Sequence, residues 1–349
     1  MRPILGITMG DPCGIGPEIT ARALARADVA AACRPLVVGS AKVFEKAVRL
    51  VGAGLGVHAV QSAAEAEFRD GVIDVLDQDL IDAETMTPGV VDPAAGNAAF
   101  QAVKKVIELA MAGDVHATVT GPLNKEAMNL AGWHYGGHTE IFADLTGTKR
   151  YAMMLADEHL KVVHVSTHVS LRAACERCKK DRVLEVIRLA RAACVSLGIQ
   201  APRVAVAGLN PHAGENGLFG REEIEEIAPA VALARGEGID AEGPLPPDTV
   251  FSKAVGGMYD VVVAQYHDQG HIPMKVLGFR LDRESGKWQS VSGVNITLGL
   301  PIIRASVDHG TAFDQAWKGT ASSDSLVNAI EYAVRLAAGA QRTEGGGEA

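Results

Sequence analysis

Short apolar runs alternate with longer amphipathic stretches along the chain. The runs are rich in β-branched residues, which predicts strands buried within a sheet. The amphipathic stretches have apolar positions three or four residues apart, which predicts helices. Such alternation is typical of an α/β protein with a mostly parallel sheet and helices on both faces. The predicted strands are 4–9, 35–39, 72–76, 116–120, 151–155, 160–167, 204–207 and 259–265. The predicted helices are 17–27, 41–51, 97–112, 137–145, 181–197 and 221–235.

One predicted strand, 259–265, is followed directly by a polar cluster. Tyr266–His271 contains two histidines, an acid and two amide- or hydroxyl-bearing side chains. In an open α/β sheet, ligands bind just beyond the carboxyl ends of the strands. This stretch is therefore a candidate site on position alone.

Four further polar segments carry a histidine near the end of a predicted element. Taken singly, each histidine could be a capping or core residue bonded to backbone. Together, beside Gly, Asn or Asp at strand ends, they favour a binding or catalytic site, because histidine is a common metal ligand and acid–base group. The four segments are Gly137–Glu140, Ser166–His168, Asn210–Glu215 and Asp308–Thr311.

Cationic side chains occur in the same regions. Lys275 follows His267 and His271 in the sequence. Arg304 lies within an otherwise apolar predicted strand that includes residues 300–303. A buried arginine needs an anionic partner. That partner is either one of the 42 acidic residues or the carboxylate or phosphate of a ligand. Asn295 could add a neutral donor.

Two glycine-rich segments and one cysteine pair are weaker signals. The loop Gly10–Pro17 lies between a strand and a helix, so its amides could cradle an anion, but it is neither a Rossmann nor a Walker sequence. Gly52–Gly56 follows a helix and is typical of a C-cap. Cys175 and Cys178 have redox or zinc spacing, but without a second pair they favour thiols with no special role.

Composition narrows the class of protein. A chain of 349 residues suggests two lobes or one large α/β domain. A net charge of −9 disfavours a nucleic-acid or anionic-membrane binder. We expect no signal peptide or transmembrane helix, and five cysteines in such a chain indicate a reduced, cytoplasmic protein.

The longer motifs together resemble the 4-hydroxythreonine-4-phosphate dehydrogenase (PdxA) family. The similarity extends from about residue 4 to residue 338, with the motifs in the family's order. The motifs are Ile7–Pro12, Gly14–Glu18, Thr120–Lys125, Gly137–Glu140, Leu209–Glu215, Tyr266–Gly270 and Ser306–Thr311.

The resemblance implies a fold and an assembly. The expected fold is the α/β/α fold of isocitrate and isopropylmalate dehydrogenases, which would explain the missing Rossmann sequence. One lobe would comprise residues 1–130 and 300–349, the other residues 131–299, with the active site in the cleft between them. The expected assembly is a homodimer whose metal site is shared across the interface.

The resemblance also implies an activity and its residues. The family uses NAD and a divalent metal ion (Zn²⁺, Co²⁺, Mn²⁺ or Mg²⁺) to oxidise and decarboxylate a 4-phosphorylated hydroxy acid; no residue here is assigned to the nucleotide. Three imidazoles suit Zn²⁺ or Co²⁺ better than Mg²⁺. The implied metal ligands are His168, His212 and His267. The implied substrate residues are His138, Thr139, Lys275, Asn295 and Arg304, and the implied catalytic residues are Lys275 and Asp248.

The sequence departs from the family's usual pattern in two respects. Phe279–Ser292 is longer than the usual link and predicts a hairpin with a turn at Glu284–Lys287; it could reshape the pocket or a dimer contact, or be a surface decoration. Gly214–Gly220 and Gly270–Pro273 resemble the branch acting on D-threonate or D-erythronate 4-phosphate, rather than the pyridoxine-biosynthesis branch acting on 4-phosphooxy-L-threonine. A dihydrodiol dehydrogenase, a metallohydrolase and a non-catalytic metal- or phosphate-binding protein are the alternative functions.

Overall fold

The computed structural model describes residues 2–281, 288–291 and 293–345, and it confirms the α/β class. The chain forms two compact units. The first comprises Met1–Lys149 and Leu300–Ala338, and the second Arg150–Gly299 and Gly339–Ala349. The first unit therefore includes His138 and Thr139, which the sequence-based boundary at residue 130 assigns to the other lobe.

Strands and helices alternate along the chain. The strands are β1 (Ile4–Thr8), β2 (Arg34–Gly39), β3 (Gly56–Val60), β4 (Val72–Asp77), β5 (Ala117–Thr120), β6 (Ala152–Ala156), β7 (Lys161–His164), β8 (Val204–Ala207), β9 (Ala241–Leu245), β10 (Val261–Ala264), β11 (Phe279–Leu281), β12 (Trp288–Val291), β13 (Val294–Leu298) and β14 (Arg304–Val307). The helices are α1 (Gly16–Leu24), α2 (Ala27–Ala32), α3 (Ala41–Val51), α4 (Pro93–Ala112), α5 (Lys125–Leu130), α6 (His138–Leu145), α7 (Leu171–Arg177), α8 (Lys180–Ser196), α9 (Ala228–Gly236), α10 (Pro247–Val255), α11 (His267–Gly278) and α12 (Asp324–Gly345). Within the described residues, no helix is both long and apolar enough to span a membrane.

The sheet of the first unit is parallel throughout. Its strand order is β3-β4-β2-β1-β5-β14. The central strands are buried on both faces, as their short apolar runs predict. Helix α4 covers one face with Phe100, Val103, Val106 and Ile107, which join the apolar core.

The sheet of the second unit is mixed. Its order is β13-β6-β7-β10-β8-β9, and the pairs β13–β6 and β6–β7 are antiparallel. The remaining pairs are parallel. Strands β11 and β12 pair as the predicted antiparallel hairpin, and the predicted turn Glu284–Lys287 lies outside the described residues. The parallel part, β7-β10-β8, positions the histidines described below.

Several elements differ from their sequence-based prediction for physical reasons. Strand β3 is largely exposed, so it lacks the apolar run of a buried strand. Strand β9 contains Gly243 and Pro244, which a sheet tolerates at its edge. Arg304 lies in a strand as predicted, but it is the first residue of β14, and residues 300–303 precede that strand. The stretch after β10 is the first turn of α11 rather than a loop.

The contact between α4 and α5 generates a prediction about stability. A Cβ added to Gly96 would lie 2.2 Å from the carbonyl carbon of Ala127, and the α5 backbone cannot move aside locally. We therefore expect Gly96→Ala to lower the free energy of unfolding by about 3 kcal/mol. Urea unfolding followed by circular dichroism measures this change.

Gly236→Ala is the matched control. A Cβ at Gly236, in the last turn of α9, meets nothing within 4 Å. This variant should be unchanged or more stable by up to about 1 kcal/mol. Equal stability of the two variants would contradict the proposed close approach of α4 and α5.

Candidate active site

Three predicted metal ligands follow three neighbouring strands of the second unit. His168 follows β7, His212 follows β8 and His267 begins α11 directly after β10. Strand β10 pairs in parallel with both β7 and β8. Because carboxyl ends of parallel strands share one edge of a sheet, all three histidines belong to that edge.

Four imidazole rings form a row at this edge, and we call them the histidine cluster: His164, His168, His267 and His271. His267 and His271 are four residues apart on α11, so they share a helix face, and their rings stack at 3.6 Å with a 10° interplanar angle. The ring of His168 lies 5.7 Å from that of His267, and the ring of His164 lies 4.8 Å from that of His271.

The carboxylate of Asp268 fixes the orientation of His267. Nδ1 of His267 lies 2.7 Å from Oδ1 of Asp268, so the ring donates its Nδ1 proton to that oxygen. Nε2 is then left with a lone pair. Metal-binding histidines commonly have such a carboxylate partner, because it fixes the tautomer and makes the ligand nitrogen more basic.

The loop that carries His212 has an uncommon backbone. All five residues from His212 to Asn216 have positive φ, between 42° and 80°. Each non-glycine residue in this conformation costs about 1–2 kcal/mol, so the loop must be held from outside. The buried carboxylate of Glu223 does this. It accepts hydrogen bonds from the Leu209 and Asn210 amides at 2.8 and 2.7 Å, and from Nδ2 of Asn210 at 3.0 Å.

The donor chemistry at this edge fits a divalent metal ion, but the described part of one chain does not assemble a complete site. Imidazoles suit Zn²⁺ or Co²⁺, and His267 has the tautomer that a ligand needs. Among the described residues, however, no three His, Cys, Asp or Glu side chains form a group able to hold an ion. The predicted set of His168, His212 and His267 stays a prediction.

His164 is the buried member of the histidine cluster. Its side chain is only 1% exposed, and its Nδ1 lies 3.2 Å from the Met153 carbonyl oxygen. Burial, aided by the neighbouring His271, lowers the pKa of His164 to about 3, so the ring is neutral near pH 7. A Cβ on Gly270 would lie 2.3 Å from His164 Nε2, so α11 can pack here only with glycine at this position.

A second group of predicted residues lies in the first unit, and we call it the arginine cluster: Lys125, His138, Thr139, Glu140 and Arg304. Arg304 is 2% exposed and donates to Oγ1 of Thr139 at 3.4 Å and of Thr120 at 3.2 Å. Burial lowers the pKa of Arg304 to about 9, while the nearby charge of Glu140 raises it. The guanidinium therefore remains cationic at neutral pH.

His138 is a neutral imidazole beside these cations. Burial is the main cause that holds the pKa of His138 well below its usual range, and the charges of Arg304 and Lys125 act in the same direction. Its Nε2 is buried and has no hydrogen-bond partner within the described residues. An unpartnered nitrogen beside two cations suits an anionic ligand that also carries a hydroxyl group.

The remaining predicted residues belong to the second unit. Lys275 lies one turn beyond His271 on the same side of α11. Asn295 in β13 donates from Nδ2 to Sδ of Met153 at 3.1 Å. Asp248 lies exposed in the first turn of α10. Their proposed roles toward substrate stay predictions.

Sequence reasoning assigned no separate role to several residues that support these clusters. Glu223 falls on the buried face of its helical segment together with Ile227, Ala230 and Val231, and that periodicity was the available signal. Asp268 adjoins His267 directly. Nothing in the hydrophobic pattern indicates that Glu140 acts on the arginine cluster, because its effect depends on tertiary packing.

Three amides of the loop Gly10–Pro17 already donate hydrogen bonds within the protein. The Cys13 amide donates to Asp11 Oδ1, the Gly14 amide to the Asp11 carbonyl, and the Ile15 amide to the Thr311 carbonyl. Burial raises the pKa of Asp11 from 3.8 to about 6, and nearby Asp92 adds to the shift. The loop is therefore built around its own buried acid.

The cysteine pair also has no special arrangement. Cys175 and Cys178 are both free thiols, and Cys178 Sγ donates to Oε1 of Gln265 at 3.3 Å. Burial raises the pKa of Cys178 to about 12, so it remains a thiol. The expectation that the two thiols have no special role stays a prediction.

Comparison with known proteins places the chain in a family. The family model described as pyridoxal phosphate biosynthetic protein PdxA matches residues 31–333. D-threonate 4-phosphate dehydrogenase of Pectobacterium atrosepticum is 48% identical over 338 residues, covering 97% of this chain and 100% of the relative.

Two solved structures extend the comparison. The crystal structure of 4-hydroxythreonine-4-phosphate dehydrogenase from Klebsiella pneumoniae is 47% identical, with a TM-score of 0.84, and the match covers 97% of this chain and 98% of the other. A terephthalate 1,2-cis-dihydrodiol dehydrogenase from Burkholderia xenovorans is 31% identical, with a TM-score of 0.66 and coverage of 95% and 98%.

The fold and these similarities define an oxidoreductase of the dehydrogenase class. The chain belongs to the PdxA family, as its motifs predict.

The buried Asp11 generates a prediction about pH. A carboxyl group whose pKa is raised in the folded state binds its proton more tightly there than in the unfolded chain. Wild-type stability should therefore lose a contribution as pH rises from about 4 to about 6. Asp11→Asn removes this titration, so its stability relative to wild type should increase across that interval by up to about 3 kcal/mol.

Denaturant unfolding at a series of pH values measures this difference. Asp70→Asn is the control, because Asp70 is exposed. Parallel pH profiles for wild type and Asp11→Asn would show that the acid of the loop is not destabilised by burial.

Proposed function

We propose that this dehydrogenase oxidises a 4-phosphorylated four-carbon hydroxy acid, with NAD and a divalent metal ion, and that loss of CO₂ follows. The observation that carries the proposal is the buried, unpartnered Nε2 of His138 beside the cationic Arg304 and Lys125. This arrangement suits a ligand with both a hydroxyl and an anionic group. The names of the similar dehydrogenases describe such ligands.

D-threonate 4-phosphate is the favoured substrate, with D-erythronate 4-phosphate and 4-phosphooxy-L-threonine as the other candidates. Support comes from the D-threonate 4-phosphate dehydrogenase that is 48% identical to this chain. It also comes from the segments Gly214–Gly220 and Gly270–Pro273, which resemble that branch. In the second of these, His271 stacks on His267, so the branch-like residue contacts a proposed metal ligand.

Each group of residues has a separate task in the proposed reaction. When bound, NAD accepts hydride, and a divalent ion lowers the pKa of the substrate hydroxyl. Arg304 and Lys275 hold the carboxylate and phosphate groups, where unscreened negative charge would be costly. His138 and Thr139 orient the hydroxyl-bearing carbons, and Asn295 donates a neutral hydrogen bond. Lys275 and Asp248 are the proposed proton-transfer groups. Oxidation of the hydroxyl group on the carbon β to the carboxylate gives a β-keto acid, which loses CO₂.

We propose that His168, His212 and His267 bind the metal and that a second copy of the chain completes the site. The described residues of one chain lack a group of three donors able to share an ion. Large apolar side chains are exposed beside the His212 loop: Leu218 is 72% exposed, Phe219 49% and Ile224 44%. Exposed apolar patches of this kind mark protein contacts. A homodimer would cover them and bring further histidines to the loop.

A dihydrodiol dehydrogenase is the second candidate function. The similarity to the Burkholderia xenovorans enzyme supports it, and a diol that carries carboxylates would also satisfy Arg304. Phosphate distinguishes the two candidates, because a dihydrodiol has none.

NADH formation from a substrate panel tests the proposal. The panel contains D-threonate 4-phosphate, D-erythronate 4-phosphate, 4-phosphooxy-L-threonine and a carboxylated cis-dihydrodiol, each with NAD and Zn²⁺, Co²⁺, Mn²⁺ or Mg²⁺. We expect NADH from a phosphorylated acid and none from the diol. NADH from the diol alone would favour the second candidate, and no NADH from any member would overturn both.

His212→Ala tests the proposed ligand set. Loss of a ligand imidazole should reduce bound metal, measured by elemental analysis, and lower kcat at least 100-fold. His159→Ala is the control, because His159 is exposed and belongs to neither cluster. Full activity and metal content in His212→Ala would remove His212 from the site.

A further inference from the structure

Two buried glutamines lie where the histidine-bearing strands of the second unit end. Gln265 is the first residue beyond β10 and is 0% exposed. Gln269 lies in the first turn of α11 and is 8% exposed. A buried amide must find both donors and acceptors, so its partners show what it holds in place.

Gln269 bridges the end of β10 to the loop that follows β8. Its Oε1 accepts the amide proton of Gln265 at 2.7 Å. Its Nε2 donates to the carbonyl oxygen of Gly208 at 2.8 Å. Gly208 is the first residue after β8 and lies four residues before His212. The side chain therefore links the segment leading to His267 with the segment leading to His212.

Gln265 extends the same network to β7 and β8. Its Nε2 donates to the carbonyl oxygen of Ala207, the last residue of β8, at 2.7 Å. Its own carbonyl oxygen accepts from Oγ of Ser166 at 3.0 Å. Ser166 lies two residues before His168. One connected set of hydrogen bonds thus contacts the segments leading to all three proposed ligands.

This hydrogen-bond network begins where the regular sheet pairing ends. Strand β10 is in register with β7 up to Ala264 and with β8 up to Val263. The Val165 amide still donates to the carbonyl oxygen of Ala264 at 2.8 Å, and beyond that bond the contacts described above between these segments are made by side chains. A glutamine amide is a donor and an acceptor at once, so it can join two backbone groups of opposite kind.

We infer that Gln269, together with Gln265, is a positioning residue that fixes the separation of the His212 loop from His267. This inference rests on the proposed metal-binding role of those histidines. Groups that orient metal ligands typically affect metal affinity by about 10- to 100-fold when they are removed. A glutamine that served stability alone would change the melting temperature and leave metal affinity as it is.

Gln269→Met tests the inference because methionine has similar length and lacks both hydrogen-bonding groups. Full-length apo protein is titrated with Co²⁺, and the visible absorption bands report both affinity and ligand geometry. We expect Gln269→Met to raise the Kd for Co²⁺ about 10- to 100-fold and to shift the bands. Val231→Ala, a buried position on α9, is the matched destabilised control. It should lower the melting temperature and keep the wild-type Kd and spectrum.

Gln269→Glu is the second variant and decides the question if Gln269→Met does not fold. It keeps an acceptor for the Gln265 amide but places carboxylate oxygen against the Gly208 carbonyl, so it should also weaken Co²⁺ binding. Wild-type Kd and spectrum in the folded glutamine variants would overturn the positioning role while leaving the metal site intact. Failure of wild-type protein to bind Co²⁺ would instead overturn the proposed metal site, and this inference with it.

Discussion

Parallel pairing of β10 with β7 and β8 is the constraint on which the second unit's chemistry depends. Since all three strands run in the same direction, their carboxyl ends share one edge, and the histidines that follow them reach this edge from three separate parts of the chain. Where the register of these strands ends, several backbone groups form hydrogen bonds with side chains instead of with a neighbouring strand. Buried side chains of Gln265, Gln269 and Glu223 satisfy those groups.

In the first unit, a buried cation lies beside a neutral imidazole. Arg304 is held cationic within a buried environment by hydroxyl groups and by the charge of Glu140. The same burial keeps His138 neutral. A fixed cation beside a neutral imidazole distinguishes the anionic end of a ligand from its hydroxyl-bearing end, because only one of the two groups can pair with negative charge.

Much of the fold is predictable from the sequence because buried parallel strands leave a strong signal. Helix α3 and strand β8 match their predicted bounds. The edge strands β3 and β9 lack that signal, since one face is exposed or the strand contains Gly and Pro. The motifs identify the family and supply the candidate site residues. The motif Tyr266–Gly270 includes Gln269 but assigns it no role, because that role depends on which carbonyl lies opposite in three dimensions.

The glycine at position 270 has a mechanical consequence. With no side chain between them, the first turn of α11 and strand β7 touch through the His164 ring and the backbone, leaving no deformable layer. A side chain at position 270 would therefore force the helix away from the strand. The distance between α11 and β7 is then set by a backbone position, so a substitution at residue 270 would shift every side chain that the first turn of the helix carries.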